Sequence, residues 1–230
     1  MVTGSLFRVT LVARKLMRQN RIVLSLMLLW PCVLSAIVLG AFHGAPAKED
    51  VVAILEQELF YGMVLVGLGA SVALGTERKT NRTQQVLGRA VSRTEYLLAL
   101  GLSAWLPLAT YLLIWAVNAE AFALLLHAGL PRLLATLVAG FSAGLLLCAV
   151  GLLLSTVLPQ LGAAACTGLV LAGLAGAGRA GRHGIAGLFG MVTGFLQPAA
   201  VPWIAAAEAV GASLLILLAA ALFFARKDLV

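Results

Sequence analysis

Glu77-Arg78-Lys79-Thr80-Asn81-Arg82-Thr83-Gln84-Gln85-Val86-Leu87-Gly88-Arg89-Ala90-Val91-Ser92-Arg93-Thr94-Glu95 is a block of charge and amide between two apolar runs. Leu59 to Gly75 before it carries no charge, and neither does Tyr96 to Asn118 after it. A chain that leaves an apolar phase, builds a short basic element and returns is offering that element to a partner in water. Its local chemistry suits a rigid contact. Ser92-Arg93-Thr94-Glu95 has the form of a capping box: the Glu95 amide donates to the Ser92 hydroxyl, and the Ser92 amide donates to the Glu95 carboxylate. A helix should therefore start sharply at Ser92, with Val91 and Tyr96 placed as a hydrophobic staple. Upstream, Thr83 to Arg89 is long enough for about two helical turns carrying Val86 and Leu87.

The apolar runs continue along the chain. Of 230 residues 62% are hydrophobic and 11% charged, where a soluble domain carries about 25% charged residues. A hydrocarbon core of about 30 Å takes roughly 20 apolar residues per helix. Six stretches serve as spans: 22–42, 59–75, 96–118, 132–157, 161–178 and 203–225. A seventh apolar piece, 185–201, is interrupted by Gly187, Gly190, Gly194 and Pro198. It reads as a re-entrant or interfacial element, because broken backbone at membrane depth needs protein to shield it. The expected fold is an all-α integral membrane protein of six transmembrane helices in a single domain, 1–230.

Basic residues set the orientation. With the N-terminus cytoplasmic, the inner segments hold Arg8, Arg14, Lys15, Arg18, Arg21, Arg78, Lys79, Arg82, Arg89, Arg93, Arg226 and Lys227. The outer ones hold only Lys48, Arg132, Arg179 and Arg182. Both termini are then cytoplasmic, as six spans require. The net charge of +7 is accounted for by this bias, without nucleic acid. Short loops and an Ala-, Leu- and Gly-heavy composition point to a bacterial inner (plasma) membrane, and the Arg-rich leader suits an uncleaved anchor.

Before the first span, Val9, Val12 and Leu16 fall on one helical face and Arg14, Arg18 and Arg21 cluster opposite. That pattern predicts an interfacial helix, apolar side in the acyl boundary and arginines among anionic head groups. Cys32, Cys148 and Cys166 all lie in apolar spans with no CxxC, which reads as buried reduced thiols. Ala164, Gly168, Ala172 and Gly176 recur every fourth residue, as do Gly140 and Gly144. Such ridges let helices approach closely in lipid, and packing within the chain is the expectation.

The polar block resembles the cytoplasmic loop of ABC-2-type transporter permeases, whose pattern runs roughly E-x-x-x-G-T-L-E-x-L-L-x-x-P-V-S-R-x-E/D before an apolar span. Glu77, Val86-Leu87, Val91-Ser92-Arg93 and Glu95-Tyr96-Leu97-Leu98 match it; Asn81-Arg82, Gln84 and Ala90 stand where the family has Gly-Thr, an acid and proline. The resemblance implies a short cytoplasmic coupling helix between spans 2 and 3 that seats on an ATPase subunit. The implied contacts are Glu77, Arg82, Gln84, Val86, Leu87, Arg89, Val91, Ser92, Arg93 and Glu95. It also implies a non-catalytic permease subunit of an exporter, paired with a second permease copy or homologue as a homo- or heterodimer. The chain has no G-x-x-x-x-G-K-[ST] phosphate loop, so ATP and magnesium would be bound by the partner. No cofactor or metal is expected on this chain.

Two other classes compete. Glu208 is an acid inside an apolar run, a functional candidate by default. It could serve transport or gating, or act with Glu58 as the proton relay of a secondary transporter or channel without an ATPase. Glu56 and Glu58 are otherwise expected at the mouth of the second span, solvated or interfacial. Gly140-Phe141-Ser142-Ala143-Gly144 matches the G-x-S-x-G string of serine hydrolases. That chemistry needs a strained elbow or a paired histidine, whereas Ser142 sits in a plain apolar helix and His43, His127 and His183 belong to outer segments.

Overall fold

The computed structural model describes residues 2–19, 21–41, 47–79, 92–125, 133–181, 183–193 and 201–226. Among these residues there is no strand, and the helices are α1 (Val2–Gln19), α2 (Arg21–Ala41), α3 (Lys48–Lys79) and α4 (Arg93–Leu125), then α5 (Leu133–Val157), α6 (Gln160–Arg179), α7 (Ile185–Thr193) and α8 (Trp203–Arg226). Five are long and apolar enough to cross a membrane: α3 through Leu74, α4, α5, α6 and α8. In α2 the apolar stretch among the described side chains is Leu28–Ala41. These long apolar helices give the chain the character of an integral membrane protein.

The core is built around α5, which packs most extensively on α3 and α8 and also touches α4, α6 and α7. Its glycines explain how close the approach is. A Cβ on Gly151 would meet the Gly67 carbonyl of α3 at 2.9 Å, and one on Gly140 would lie 3.3 Å from Leu112 Cδ2 of α4. The Gly140/Gly144 ridge thus packs within the chain, as expected.

The ridge on α6 does not. Its buried side is Ala163, Thr167, Leu171 and Ala175, one residue out of register with the expected stripe. Nothing lies within 4 Å of a Cβ built on Gly168 or Gly176. Thr167 is tolerated on that side because its hydroxyl donates to the Ala163 carbonyl at 2.8 Å.

Two glycines with positive φ, Gly181 (79°) and Gly184 (68°), turn the chain from α6 into α7. The left-handed region is open to glycine at little steric cost. The two helices then meet backbone to backbone, with a Cβ on Gly190 falling 2.8 Å from the Gly178 carbonyl carbon. The expected element 185–201 is thus represented by α7, which buries Leu188, Phe189 and Val192; the rest of it, 194–200, lies outside the described residues.

Where the interfacial helix is expected, a helix does form as α1, with Val9, Ala13 and Leu16 buried and Arg14 and Arg18 exposed; Arg21, also exposed, opens α2. The apolar face of α1 is covered by protein rather than lipid. Val9 and Ala13 pack on Ala99 of α4, with Val12 and Leu102 alongside. Among the described side chains of α1, Phe7 and Leu11 are large apolar residues that stay exposed.

Candidate functional site

Helix α4 begins as its sequence dictates. The Ser92 amide donates to Glu95 Oε2 at 2.9 Å, and the Glu95 amide donates to Ser92 Oγ at 3.1 Å. Two of the amides that a helix start leaves without partners are thereby satisfied, and the carboxylate sits at the positive end of the helix dipole. Tyr96, the residue after the box, is fully buried.

This capped start is tied to two other helices. Arg8 of α1 reaches Glu95 Oε1 at 3.8 Å. Arg93 Nη1 donates to the Ala225 carbonyl of α8 at 2.9 Å, one of the last-turn carbonyls that have no partner inside their own helix. Ser92, Arg93 and Glu95 are therefore brought together. Arg82, Gln84, Val86, Leu87, Arg89 and Val91 lie outside the described residues, as does the two-turn helix expected over Thr83 to Arg89. Glu77 belongs to α3.

A second polar cluster gathers around Glu58, which the sequence offered only as a possible relay partner of Glu208. Helix α3 starts at Lys48, not at 59, and carries Glu58 into the interior. The expectation of a solvated or interfacial Glu58 is overturned: it is completely buried. Ser35 Oγ of α2 lies 3.4 Å from its Oε1, and Asn118 Nδ2 of α4 lies 3.5 Å from its Oε2. Asn118 Nδ2 also donates to Ser35 Oγ and to the Pro31 carbonyl at 3.3 Å.

Beneath the carboxyl, α4 grips the backbone of α3. Tyr111 donates its hydroxyl to the Glu58 carbonyl at 2.7 Å, and Trp115 Nε1 donates to the Leu55 carbonyl at 3.0 Å. Tyr111, Trp115 and Asn118 are spaced i, i+4, i+7, one face of α4. On α3, Val51, Leu55, Glu58, Leu59 and Met63 keep the same period, and all are buried. That shared spacing was the signal available for finding the site.

Glu208 has a different setting. It is exposed, with Oε2 3.5 Å from where a Cβ on Gly184 would lie, beside the α6–α7 turn. The neighbouring groove between α4, α5 and α8, about 420 Å³, is lined by Leu113, Leu137, Phe141, Ser142, Trp203 and Val210 among others, but not by Glu208. Ser142 donates to the carbonyls of Val138 at 2.6 Å and Ala139 at 3.2 Å. Its proton is engaged by its own helix, and no base is among these partners. His183 is exposed; His43 and His127 lie outside the described residues.

Of the thiols, Cys148 is buried, Cys166 half-buried and Cys32 exposed on α2, which corrects the expectation that all three are buried. Among the described residues, no group of three or more His, Cys, Asp or Glu could hold a metal ion. No protein-family model matches the chain, and no curated protein matches it.

Proposed function

We propose that this chain is the membrane-spanning permease subunit of an ATP-binding-cassette transporter, an exporter of the ABC-2 type. In this reading α2, α3, α4, α5, α6 and α8 are the six spans, and both termini face the cytoplasm of a bacterial cell. The basic segment between α3 and α4 docks a separate ATPase, which holds ATP and magnesium. Two permeases, identical or homologous, enclose the path.

The observation that carries the reading is the anchoring of the α4 start. A contact element can move a membrane domain only if its root is stiff and connected. Here the root is a closed capping box, joined to α1 through Arg8–Glu95 and to α8 through Arg93–Ala225. A push on the preceding segment would reach three helices at once, the arrangement expected of a lever that biases two states of a bundle.

The test is affinity purification of the tagged chain from its native membrane. An ATPase carrying a phosphate-binding loop should co-purify, and Val86→Asp or Arg89→Asp should release it while leaving membrane insertion intact. Protease mapping on sealed vesicles that placed Arg82 or Arg89 on the extracytoplasmic side would sink the proposal.

A further inference from the structure

The buried carboxyl of Glu58 has no part in the reading above, and its surroundings are unlike those of any other acid described in the chain. Its partners are a hydroxyl on α2 and an amide on α4, both neutral and both at the long end of hydrogen-bond distance, 3.4 and 3.5 Å. The ion pair Arg8–Glu95 lies far along the sequence from Glu58. An ionised carboxyl taken out of water with no cation is heavily penalised, and acids so placed in membrane helices mark proton or substrate sites.

The helices around it are held unequally. α3 and α4 are clamped by the Tyr111 and Trp115 bonds to the backbone carbonyls of Glu58 and Leu55. On α2 the corresponding bond is longer, from Asn118 Nδ2 to the Pro31 carbonyl at 3.3 Å. Among the described side chains of α2, Pro31, Ser35 and Val38 are buried, while Leu29, Val33 and Ile37 are exposed. Two of those three positions, Pro31 and Ser35, meet Asn118, and Ser35 also meets Glu58. The element held by the longer bond is therefore α2, and its departure is what would bring water to the carboxyl.

We propose that Glu58 is a proton-exchange site that latches α2 onto the α3–α4 pair. The docked helix covers the neutral acid. When α2 swings out, the carboxyl O–H gives one proton to water and the resulting carboxylate is hydrated; re-docking takes the proton back. The two states differ in proton occupancy, so proton concentration biases the position of α2. The other titratable groups nearby do not replace this one. On α4, Tyr111 donates to the Glu58 main chain, and Glu120 is exposed. On α3, Glu56 is half-buried and Tyr61 exposed; on α2, Cys32 and Arg21 are exposed. The inference stands whether or not an ATPase drives the protein.

Two measurements test it on the full chain in phospholipid nanodiscs. The first treats the wild type with dicyclohexylcarbodiimide, a hydrophobic reagent that couples to protonated carboxyls in apolar surroundings, and locates the adduct by mass spectrometry. The adduct should form on Glu58 in mildly acidic buffer and be lost in mildly alkaline buffer. No adduct on Glu58 in a monodisperse sample at either pH would overturn the proposal. The second uses pulsed electron resonance between spin labels on native Cys32 and on Leu113→Cys, with Cys166→Ala to remove the half-buried thiol. The separation should lengthen from acidic to alkaline buffer and stay short throughout in Glu58→Gln, whose amide cannot release a proton. An unchanged wild-type distance, or the same lengthening in Glu58→Gln, would also overturn it.

Discussion

Replacing Gly62 by alanine measures how hard α3 and α4 are pressed together. A Cβ at that position would lie 2.7 Å from Tyr111 Cδ1 and 2.9 Å from Cζ. An exposed ring would turn aside, but Tyr111 is fully buried and its hydroxyl is fixed to the Glu58 carbonyl at 2.7 Å. Moving the ring loosens that bond as well as the packing. Forcing a methyl into a filled core costs about 1–3 kcal/mol, and rigid surroundings put this case toward the upper end. Exchanging glycine for alanine inside a helix returns about 1 kcal/mol. The net expected loss is about 1–2 kcal/mol. In a Tyr111→Ala background the obstacle is gone, and only the helical gain remains. Gly62→Ala should therefore change sign between the two backgrounds, a coupling of about 2–3 kcal/mol. Reversible unfolding by sodium dodecyl sulfate in mixed micelles, followed by tryptophan fluorescence, reads all four corners of the cycle. Costs that simply add would refute the claim that residue 62 and the Tyr111 ring occupy one tightly filled place.

Four further outcomes follow from equally local geometry. Gly178→Ala should destabilise by about 3 kcal/mol or more, since its Cβ would meet the Ala186 carbonyl and lie 2.8 Å from Gly190 Cα, and backbone cannot step aside. Gly168→Ala, with nothing within 4 Å, should be neutral or gain up to about 1 kcal/mol; a thermal shift assay separates the two. Glu95→Ala removes the reciprocal cap and the contact with Arg8 and should cost about 0.5–2 kcal/mol, read as a lowered melting temperature, with Glu95→Gln recovering much of the loss because its amide oxygen can still accept from Ser92. Trp115→Phe keeps most of the ring but loses the donor to Leu55, and about 0.6 kcal/mol is the average for such a bond in a membrane protein. A loss above about 2 kcal/mol would mean that the indole is held chiefly by its packing.

The parts legible in the sequence were those written in short-range chemistry. Ser92 and Glu95 are three residues apart, so the box needs no tertiary knowledge, and it formed. The amphipathic face of α1 was likewise visible in Val9, Val12 and Leu16, although periodicity could not say that Ala99 and Leu102 of α4, rather than lipid, would cover it. The misses have two causes. A hydropathy reading starts a span where charge stops, so it cut α3 at Leu59 and left Glu58 outside. The helix ignores that boundary, because its heptad-like apolar face begins at Val51 and buries whatever sits at the 58 position. On α6 two adjacent stripes of small residues compete, and spacing alone cannot choose between Ala163/Thr167/Leu171/Ala175 and Ala164/Gly168/Ala172/Gly176. Leu171, the one large residue on the first stripe, belongs in the core for the area it buries.

The two polar clusters sit on one helix, and that placement constrains any motion between them. α4 has 33 residues, about 50 Å at 1.5 Å per residue. Its first turn is fixed to α1 and α8, and the Tyr111–Asn118 stretch is fixed to α3 and α2. Between them lies Pro107, buried inside the helix. Proline has no amide to donate to the carbonyl four residues back, that of Ser103, and its ring crowds that carbonyl, so the rod is softest there. The Ser103 hydroxyl donates to the Leu100 carbonyl at 2.8 Å and leaves the Ser103 carbonyl as it is. A displacement applied at Ser92 is thus taken up partly as a bend at Pro107, and what passes beyond arrives at the Glu58 cluster. There the α3 backbone bonds, at 2.7 and 3.0 Å, resist it, while the longer backbone bond to α2, Asn118 to Pro31 at 3.3 Å, yields first.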